Sequence, residues 1–266
     1  MLFRAFRALD LFTPEAPAWG MSEISAAIGL PKSTTSRILR MLEAHHYLVR
    51  DPETRKYRLG SGALSLGWRA LETNDLRHVA LPVMRRLARE TEETVILTVP
   101  SEDRLSSVCI ERIESPRQVR LILEVGRRIP LHAGASSKIL LAYFPPEDVE
   151  RVIATCGLPR VYTHTITDPD QLRAHLAEIR ERGYAVSREE TNEGAAGVAA
   201  PVLDGAGRIV AGVGIAGPMA RFTEADLPRM IALACAGAAE VARLRGNHTA
   251  PVPAGAPGRT GGGRGA

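Results

Sequence analysis

Residues 31–45, Pro-Lys-Ser-Thr-Thr-Ser-Arg-Ile-Leu-Arg-Met-Leu-Glu-Ala-His, place two different surfaces on one helix. The leading edge is hydroxyls and cations, while Ile38, Leu39, Met41 and Leu42 form an apolar back. Pro31 suits the first helical turn, because it lacks an N–H that would find no partner there and its φ is already helical. Lys32, Ser33, Thr34, Thr35, Ser36, Arg37 and Arg40 then offer short donors for base edges and cations for phosphates. A helix laid into the DNA major groove needs that set. The surface helix of an enzyme can carry the same residues, so the flanks decide.

Upstream, Met21 to Gly29 reads as a short helix with Ser22 as N-cap, Ile24 and Ile28 on one face, and Gly29 as its stop. Gly29-Leu30 leaves room only for a tight turn, which makes the pair a helix-turn-helix. Before it, Met1 to Phe12 sets Leu2, Phe3, Phe6 and Leu9 at helical spacing, with Arg4 and Arg7 pointing away. That is the pattern of a packing helix; it has neither the apolar core nor the cleavage site of a signal peptide. Downstream, Tyr47 to Arg50 and Lys56 to Leu59 are strand-like runs joined by Asp51-Pro52-Glu53-Thr54-Arg55, the pattern of a β-hairpin. Arg50, Arg55, Lys56 and Arg58 make it basic, and Arg55, Lys56 and Tyr57 join the expected DNA contacts as a wing beside the groove. Helix, turn, helix and basic hairpin in that order leave little room for a merely solvated turn.

With 266 residues, 45% hydrophobic and 24% charged, the chain has material for two domains. A net charge of +4 permits a nucleic-acid partner without requiring one. Cys109, Cys156 and Cys235 are far apart and form no Cys-x-x-Cys pair, which fits a reducing cytoplasm and implies no metal site. No apolar run has membrane-spanning length, and no cofactor is implied. Residues 246–266 are Gly, Pro and Ala with isolated Arg, the composition of a disordered tail to which Arg259 and Arg264 add weak affinity for DNA.

Four segments follow: a DNA-binding domain over 1–60, a linker helix over 61–75, a larger domain over 76–245 and the tail. In the linker, Trp68 among Leu64, Leu66 and Leu71 suits packing against a second subunit, although an ordinary interdomain helix reads the same way. The larger domain opens with a helix over 76–92. Strands follow over 94–99, 107–112 and 119–124, and a helix starts in the small residues of Leu131-His132-Ala133-Gly134-Ala135-Ser136-Ser137-Lys138. Free backbone N–H groups at such a start attract anions. A helix over 168–182, a strand over 184–189, a hairpin over 197–215 and an Ala-rich helix over 225–245 complete an α+β domain, an antiparallel sheet flanked by helices.

Two chemical readings fall away on local grounds. Gly212-Val213-Gly214-Ile215-Ala216-Gly217 spells a dinucleotide fingerprint, but it lies inside a strand and runs into Pro218 rather than a helix that could hold a pyrophosphate. Catalysis needs a nucleophile, a base and an orienting group together, and Cys109, His132 and Ser136 show no such arrangement. Glu189 and Glu190, as neighbours on a strand, would face opposite sides.

The stretch "IGLPKSTTSRILRMLEAHHYLVRDPETRKYRLG", with "RIPLHAGASSKILLAY" and "EIRERGYAVSREE" further on, resembles the IclR family of bacterial transcriptional regulators. The resemblance runs from about Arg4 to Leu244. It implies an N-terminal winged helix-turn-helix and a GAF-like effector-binding domain. Arg55 and His46 stand where that pattern usually has Gly, so the wing turn is expected to be altered or looser. The resemblance also implies an effector contacting the backbone at Ala135 and Ser136, next to Gly134, and apolar side chains matching Leu121 and Ile129. Relatives that bind small carboxylates add an Asp, a Cys and two Ser; the matching positions here are Ser187, Gly197, Gly214 and Ala216.

Smaller, less polar walls imply a roomier, drier pocket. The expected effector is a carboxylic acid larger and more apolar than a two- or three-carbon keto acid, such as an aromatic acid. Alternatively, the glycines serve strand packing and the pocket is unused or filled. The function that follows is a ligand-responsive regulator, a homodimer or dimer of dimers acting on a palindromic operator in the bacterial cytoplasm and not an enzyme. Its alternatives are a C-terminal domain that only oligomerises and a redox sensor using Cys109 or Cys156.

Overall fold

The computed structural model describes residues 2–249. They divide into two units, residues 2–74 and those from Asp75 onward. In the first, helices α1 (Leu2–Leu9), α2 (Met21–Ile28) and α3 (Lys32–Ala44) lead into a hairpin of β1 (Leu48–Arg50) and β2 (Tyr57–Leu59), and α4 (Ser61–Glu72) follows. Gly29, left-handed at φ 68°, stops α2, and Ser25 Oγ donates to Leu30 O at 2.6 Å to fix the turn into α3. The start of α2 differs from expectation. Gly20 is its N-cap, and Ser22 lies inside the first turn; the Glu23 carboxylate reaches back to accept from Gly20 N–H at 2.6 Å. Pro31 likewise precedes α3 as its N-cap, with extended ψ of 145°.

Ala8, Phe12, Ile24, Ile28, Leu39, Leu48 and Tyr57 form this unit's core. Of the face expected to pack α1, Leu9 does so, but Leu2, Phe3 and Phe6 are exposed, and the helix is anchored through Ala8 and Leu9. Met41 is also exposed, because only Ile38, Leu39 and Leu42 of the α3 back meet the core side.

In the second unit, α5 (Asp75–Thr91) precedes β3 (Thr94–Pro100), β4 (Ser106–Ile113), β5 (Arg128–Pro130), α6 (Ala135–Ala142), α7 (Pro146–Cys156) and α8 (Pro169–Arg182). Then come β6 (Ala185–Arg188), β7 (Ala195–Leu203), β8 (Ile209–Pro218) and α9 (Leu227–Thr249). The six strands form one antiparallel sheet in the order β5-β4-β3-β8-β7-β6. Strand alternation sends Val95, Leu97, Val213 and Ile215 into one core with Val83, Met84 and Leu87 of α5 and Ala234, Ala238 and Val241 of α9. Against Ala199 on the other face lie Ile139 and Leu140 of α6 and Leu172, Leu176 and Ile179 of α8. Each such Leu or Ile, fully buried, contributes roughly 1.5–3 kcal/mol.

Residues 119–124, expected as a strand, are a loop. Their carbonyls meet side chains rather than a ladder: Thr94 Oγ1 donates to Leu121 O and Arg112 Nη1 to Leu123 O, each at 2.8 Å. The strand beside β4 is β5 instead. Helix α7, which the sequence reading left out, starts on Pro146 with Glu147 and Asp148 in its first turn. Helix α9 runs on through residues 246–249, so the tail cannot begin at 246; the rest of it, with Arg259 and Arg264, lies outside the described residues. Among the described residues no helix is long and apolar enough to cross a membrane.

Candidate DNA-binding surface and effector cavity

At the start of α3, Lys32, Ser33, Arg37 and Arg40 are exposed, and Thr34 and Ser36 are partly so. Thr35 is fully buried, and its hydroxyl donates to Pro31 O at 3.2 Å. It braces the first turn from behind and does not face outward with its neighbours. Tyr57 departs from expectation in the same way. It is buried, pairs through its backbone with Trp19, and has the Arg50 guanidinium 5.5 Å above its ring.

Arg55 and Lys56 stand exposed at the hairpin tip. Arg55 takes φ 60° and His46 φ 61°, so both turns keep the left-handed conformation without glycine. The wing turn is held from inside. The Asp51 carboxylate accepts from Thr54 N–H at 2.7 Å and Glu53 N–H at 3.0 Å, and these bonds, that from Thr54 first, hold its pKa below the ordinary value.

In the second unit a cavity of about 340 Å³ lies between the sheet and the start of α6. Leu121, Ile129, Gly134, Ala135, Ser136, Ser187, Gly197 and Ala216 all line it. Gly214 does not. A Cβ there would sit 2.3 Å from Ser136 Oγ, so the space given up by its missing side chain is taken by the Ser136 hydroxyl. The extra room expected from that position is therefore absent, while Ser187, Gly197 and Ala216 do line the cavity.

Further lining residues escaped the sequence reading: Ile96, Arg120, Ile122 and Leu123 of the loop that also carries Leu121, Arg127, Val161, Thr191 and Asn192. The loop was misread as a strand. Thr191 and Asn192 carried a faint signal, as polar residues following Glu189-Glu190 just before an apolar strand. The walls are mostly aliphatic, with Arg120 and Arg127 as cationic members and Ser136, Ser137, Ser187, Thr191 and Asn192 as polar ones.

Helix α6 starts without a side-chain cap at Gly134, whose φ of 82° and ψ of 153° suit only glycine. The N–H groups of Ala135 and Ser136 open its first turn at the cavity wall. Behind them Thr98 Oγ1 donates to Ser136 O at 3.0 Å, and Ser137 Oγ lies 2.7 Å from Ser107 Oγ.

Deeper in the helix, Lys138 has no exposed surface; its ammonium pairs with Glu190 Oε1 and lies 3.0 Å from His175 Nε2. Burial, opposed by Glu190, lowers the Lys138 pKa. Burial and then the Lys138 charge bring His175 down to about 4, so near neutral pH its ring accepts from the ammonium.

The side chains weighed for catalysis are engaged separately. Cys109 is buried and its thiol pushed up to about 12 by that burial, away from the reactive thiolate form, whereas Cys156, the other cysteine of the redox alternative, is exposed with Sγ 3.6 Å from Leu105 O. His132 is buried with Nε2 2.9 Å from Pro159 O. The Gly-x-Gly-x-x-Gly run lies wholly within β8. Glu189 and Glu190 follow β6 rather than sitting on it, and still diverge: Glu190 meets Lys138 while Glu189 accepts from Gly194 N–H. Among the described residues no three His, Cys, Asp or Glu cluster as metal ligands.

The IclR helix-turn-helix domain model matches residues 1–52, and the model for the C-terminal domain of bacterial transcriptional regulators of the IclR type matches residues 68–243. The chain belongs to the IclR family. It is thus a transcriptional regulator with a helix-turn-helix DNA-binding domain and an IclR effector domain.

Among its IclR relatives, the transcriptional regulator KipR of Bacillus subtilis is 35% identical over 225 residues, 85% of this chain and 88% of that one. KdgR of Escherichia coli is 34% identical over 232 residues, 87% and 88% of the two. Among solved structures, an IclR regulator from Alicyclobacillus acidocaldarius superposes with a TM-score of 0.82 at 29% identity, covering 91% of this chain and 97% of that one. An IclR homologue from Microbacterium hydrocarbonoxydans, solved in complex with 4-hydroxybenzoate, gives 0.78 at 29%, covering 91% and 98%.

Proposed function

We propose that this regulator reads a palindromic operator with α3 and the β1–β2 wing, and that a bulky organic acid, an aromatic one by preference, binds the α6 cavity and changes operator affinity. The observation that carries the ligand half is the cavity itself. It is a mostly aliphatic chamber, with Arg120, Arg127 and a few hydroxyl and amide groups in its walls, onto which uncapped N–H groups at a helix start open. Oriented N–H groups and the helix dipole favour a carboxylate there. The aliphatic remainder favours a ring over a short polar chain. The 4-hydroxybenzoate complex of the Microbacterium hydrocarbonoxydans homologue supports the same ligand class.

For the DNA half, Lys32, Arg37 and Arg40 on α3 and Arg55 and Lys56 on the wing are the contacts, joined by Ser33, Thr34 and Ser36. A palindrome requires two copies of α3 related by a twofold axis. The exposed Leu2, Phe3 and Phe6 of α1 and Leu64, Leu66 and Trp68 of α4 supply apolar area for such a homodimer or a dimer of dimers. Its place of work is the bacterial cytoplasm, on chromosomal DNA.

Titration calorimetry tests the ligand assignment with 4-hydroxybenzoate, benzoate, glyoxylate and pyruvate. Binding of an aromatic acid at micromolar to millimolar concentration is expected; tight binding of glyoxylate or pyruvate with none by the aromatic acids would contradict it.

A further inference from the structure

The Lys138–Glu190 pair is costly to bury, and neither side chain lines the cavity or the DNA-facing surface. Lys138 is wholly inaccessible and Glu190 nearly so. Ion pairs of this kind contribute little net stability compared with apolar residues of the same volume, since desolvation cancels the attraction. What sets this pair apart is where the second carboxylate oxygen goes. Glu190 Oε2 accepts from Gly134 N–H at 2.9 Å, and Gly134 is the residue from which α6 starts.

We propose that Glu190, held by Lys138, is a positioning residue for effector binding: it fixes the Gly134 peptide so that the next N–H groups, of Ala135 and Ser136, face the cavity. This rests on the effector reading above.

The geometry supports it in three ways. Gly134 takes a backbone conformation open to glycine but not to other residues, so no side chain of its own orients this peptide, and the bond from its N–H to the carboxylate holds it. Glu190 also precedes Thr191 and Asn192, which line the cavity, and its own carbonyl accepts from Thr165 Oγ1 at 2.7 Å. That threonine oxygen in turn accepts from Val161 N–H, and Val161 is a further wall residue, so one side chain and its peptide register three parts of the site. Finally, a lone carboxylate this close to the α6 start would repel an anionic ligand. Lys138 neutralises it and leaves the helix terminus free to attract.

The test compares neutral variants of the full chain that differ in the acceptor offered to Gly134. In K138M/E190Q the amide oxygen still accepts from Gly134 N–H; in K138M/E190L and K138M/E190A nothing does. Two readouts are taken, amide hydrogen exchange of residues 131–142 without ligand and calorimetric titration with 4-hydroxybenzoate. Loss of one buried acceptor predicts about tenfold faster exchange at the α6 start and about tenfold weaker binding in the Leu and Ala variants. K138M/E190Q is expected to stay near wild type, with the rest of the domain exchanging alike in all of them.

Equal behaviour of the Gln and Leu or Ala variants overturns the proposal. So does faster exchange spread over the whole effector unit, the mark of a simple structural brace. If wild-type protein fails to bind 4-hydroxybenzoate, the ligand reading falls, and the exchange comparison still decides the positioning role.

Discussion

Helix α3 opens on Lys32-Ser33-Thr34-Thr35-Ser36 and α6 on Ala135-Ser136-Ser137-Lys138, yet Lys32 stands in solvent while Lys138 has no exposed surface. Both starts combine hydroxyls with a cation and lack a side-chain cap. What differs is where each charge finds its counter-charge. On α3 the cations have outward faces suited to a polyanion, where binding is strong at low salt and weakens as salt rises. On α6 the cation is already paired inside the fold, and what the helix start offers the cavity is its backbone N–H groups. Residue type alone does not choose between these roles; packing around the helix does.

Removing each lysine separates the two cases most widely. Lys138→Met leaves the Glu190 carboxylate buried without its cation and should cost about 3–5 kcal/mol of unfolding free energy. Lys32→Met should stay within about 0.5 kcal/mol in the same denaturant titration. Similar losses would erase the distinction between an internal and an external charge.

Next in size is Arg37→Ala, which should weaken operator binding by about 1–3 kcal/mol if the guanidinium reads a base edge, or lower the salt slope by about one if it meets phosphate alone. Unchanged affinity and slope in a gel-shift series would take Arg37 out of the interface.

The pH dependence of stability sharpens the α6 side. His175 titrates near 4 in the folded chain, below its ordinary 6.5, because burial and the Lys138 charge oppose protonation while Glu178 partly offsets them. Between those values the unfolded chain binds more protons, so stability is complete above about pH 6.5 and declines as pH falls toward 4. Allowing for partial exposure, the decline due to this residue is about 2 kcal/mol. His175→Leu should flatten that part of the profile; an unaltered slope would show that burial and the neighbouring ammonium do not hold the ring's pKa down.

Thr35→Val has a smaller effect than these. It should lower stability by about 1 kcal/mol through the lost bond to Pro31 and leave the salt slope of operator binding alone, whereas Ser33→Ala next to it should act on DNA affinity instead.

The two regions also differed in how far they could be read from sequence. The order of helix, turn, helix and hairpin is local, carried by Gly29, the apolar back of α3 and the turn at Asp51, and it was legible. Orientation within those elements was less so. Thr35 and Tyr57 look like their DNA-facing neighbours in sequence, and only the position of the core places them inside. In the effector unit most strands and helices showed their periodicity, but residues 119–124 alternate like a strand while their carbonyls are taken by Thr94 and Arg112.

The decisive contacts of the cavity join distant residues. Ser136 fills the space beside Gly214, and Lys138 meets Glu190. No local pattern records such pairs.

Operator affinity measured by fluorescence anisotropy, with and without saturating 4-hydroxybenzoate or pyruvate, bears most directly on the claim that the α6 cavity controls α3. A shift of at least about fivefold with the aromatic acid and none with pyruvate is the predicted result. A shift with pyruvate alone, or identical affinity under all three conditions while the aromatic acid is shown to be bound, would contradict it.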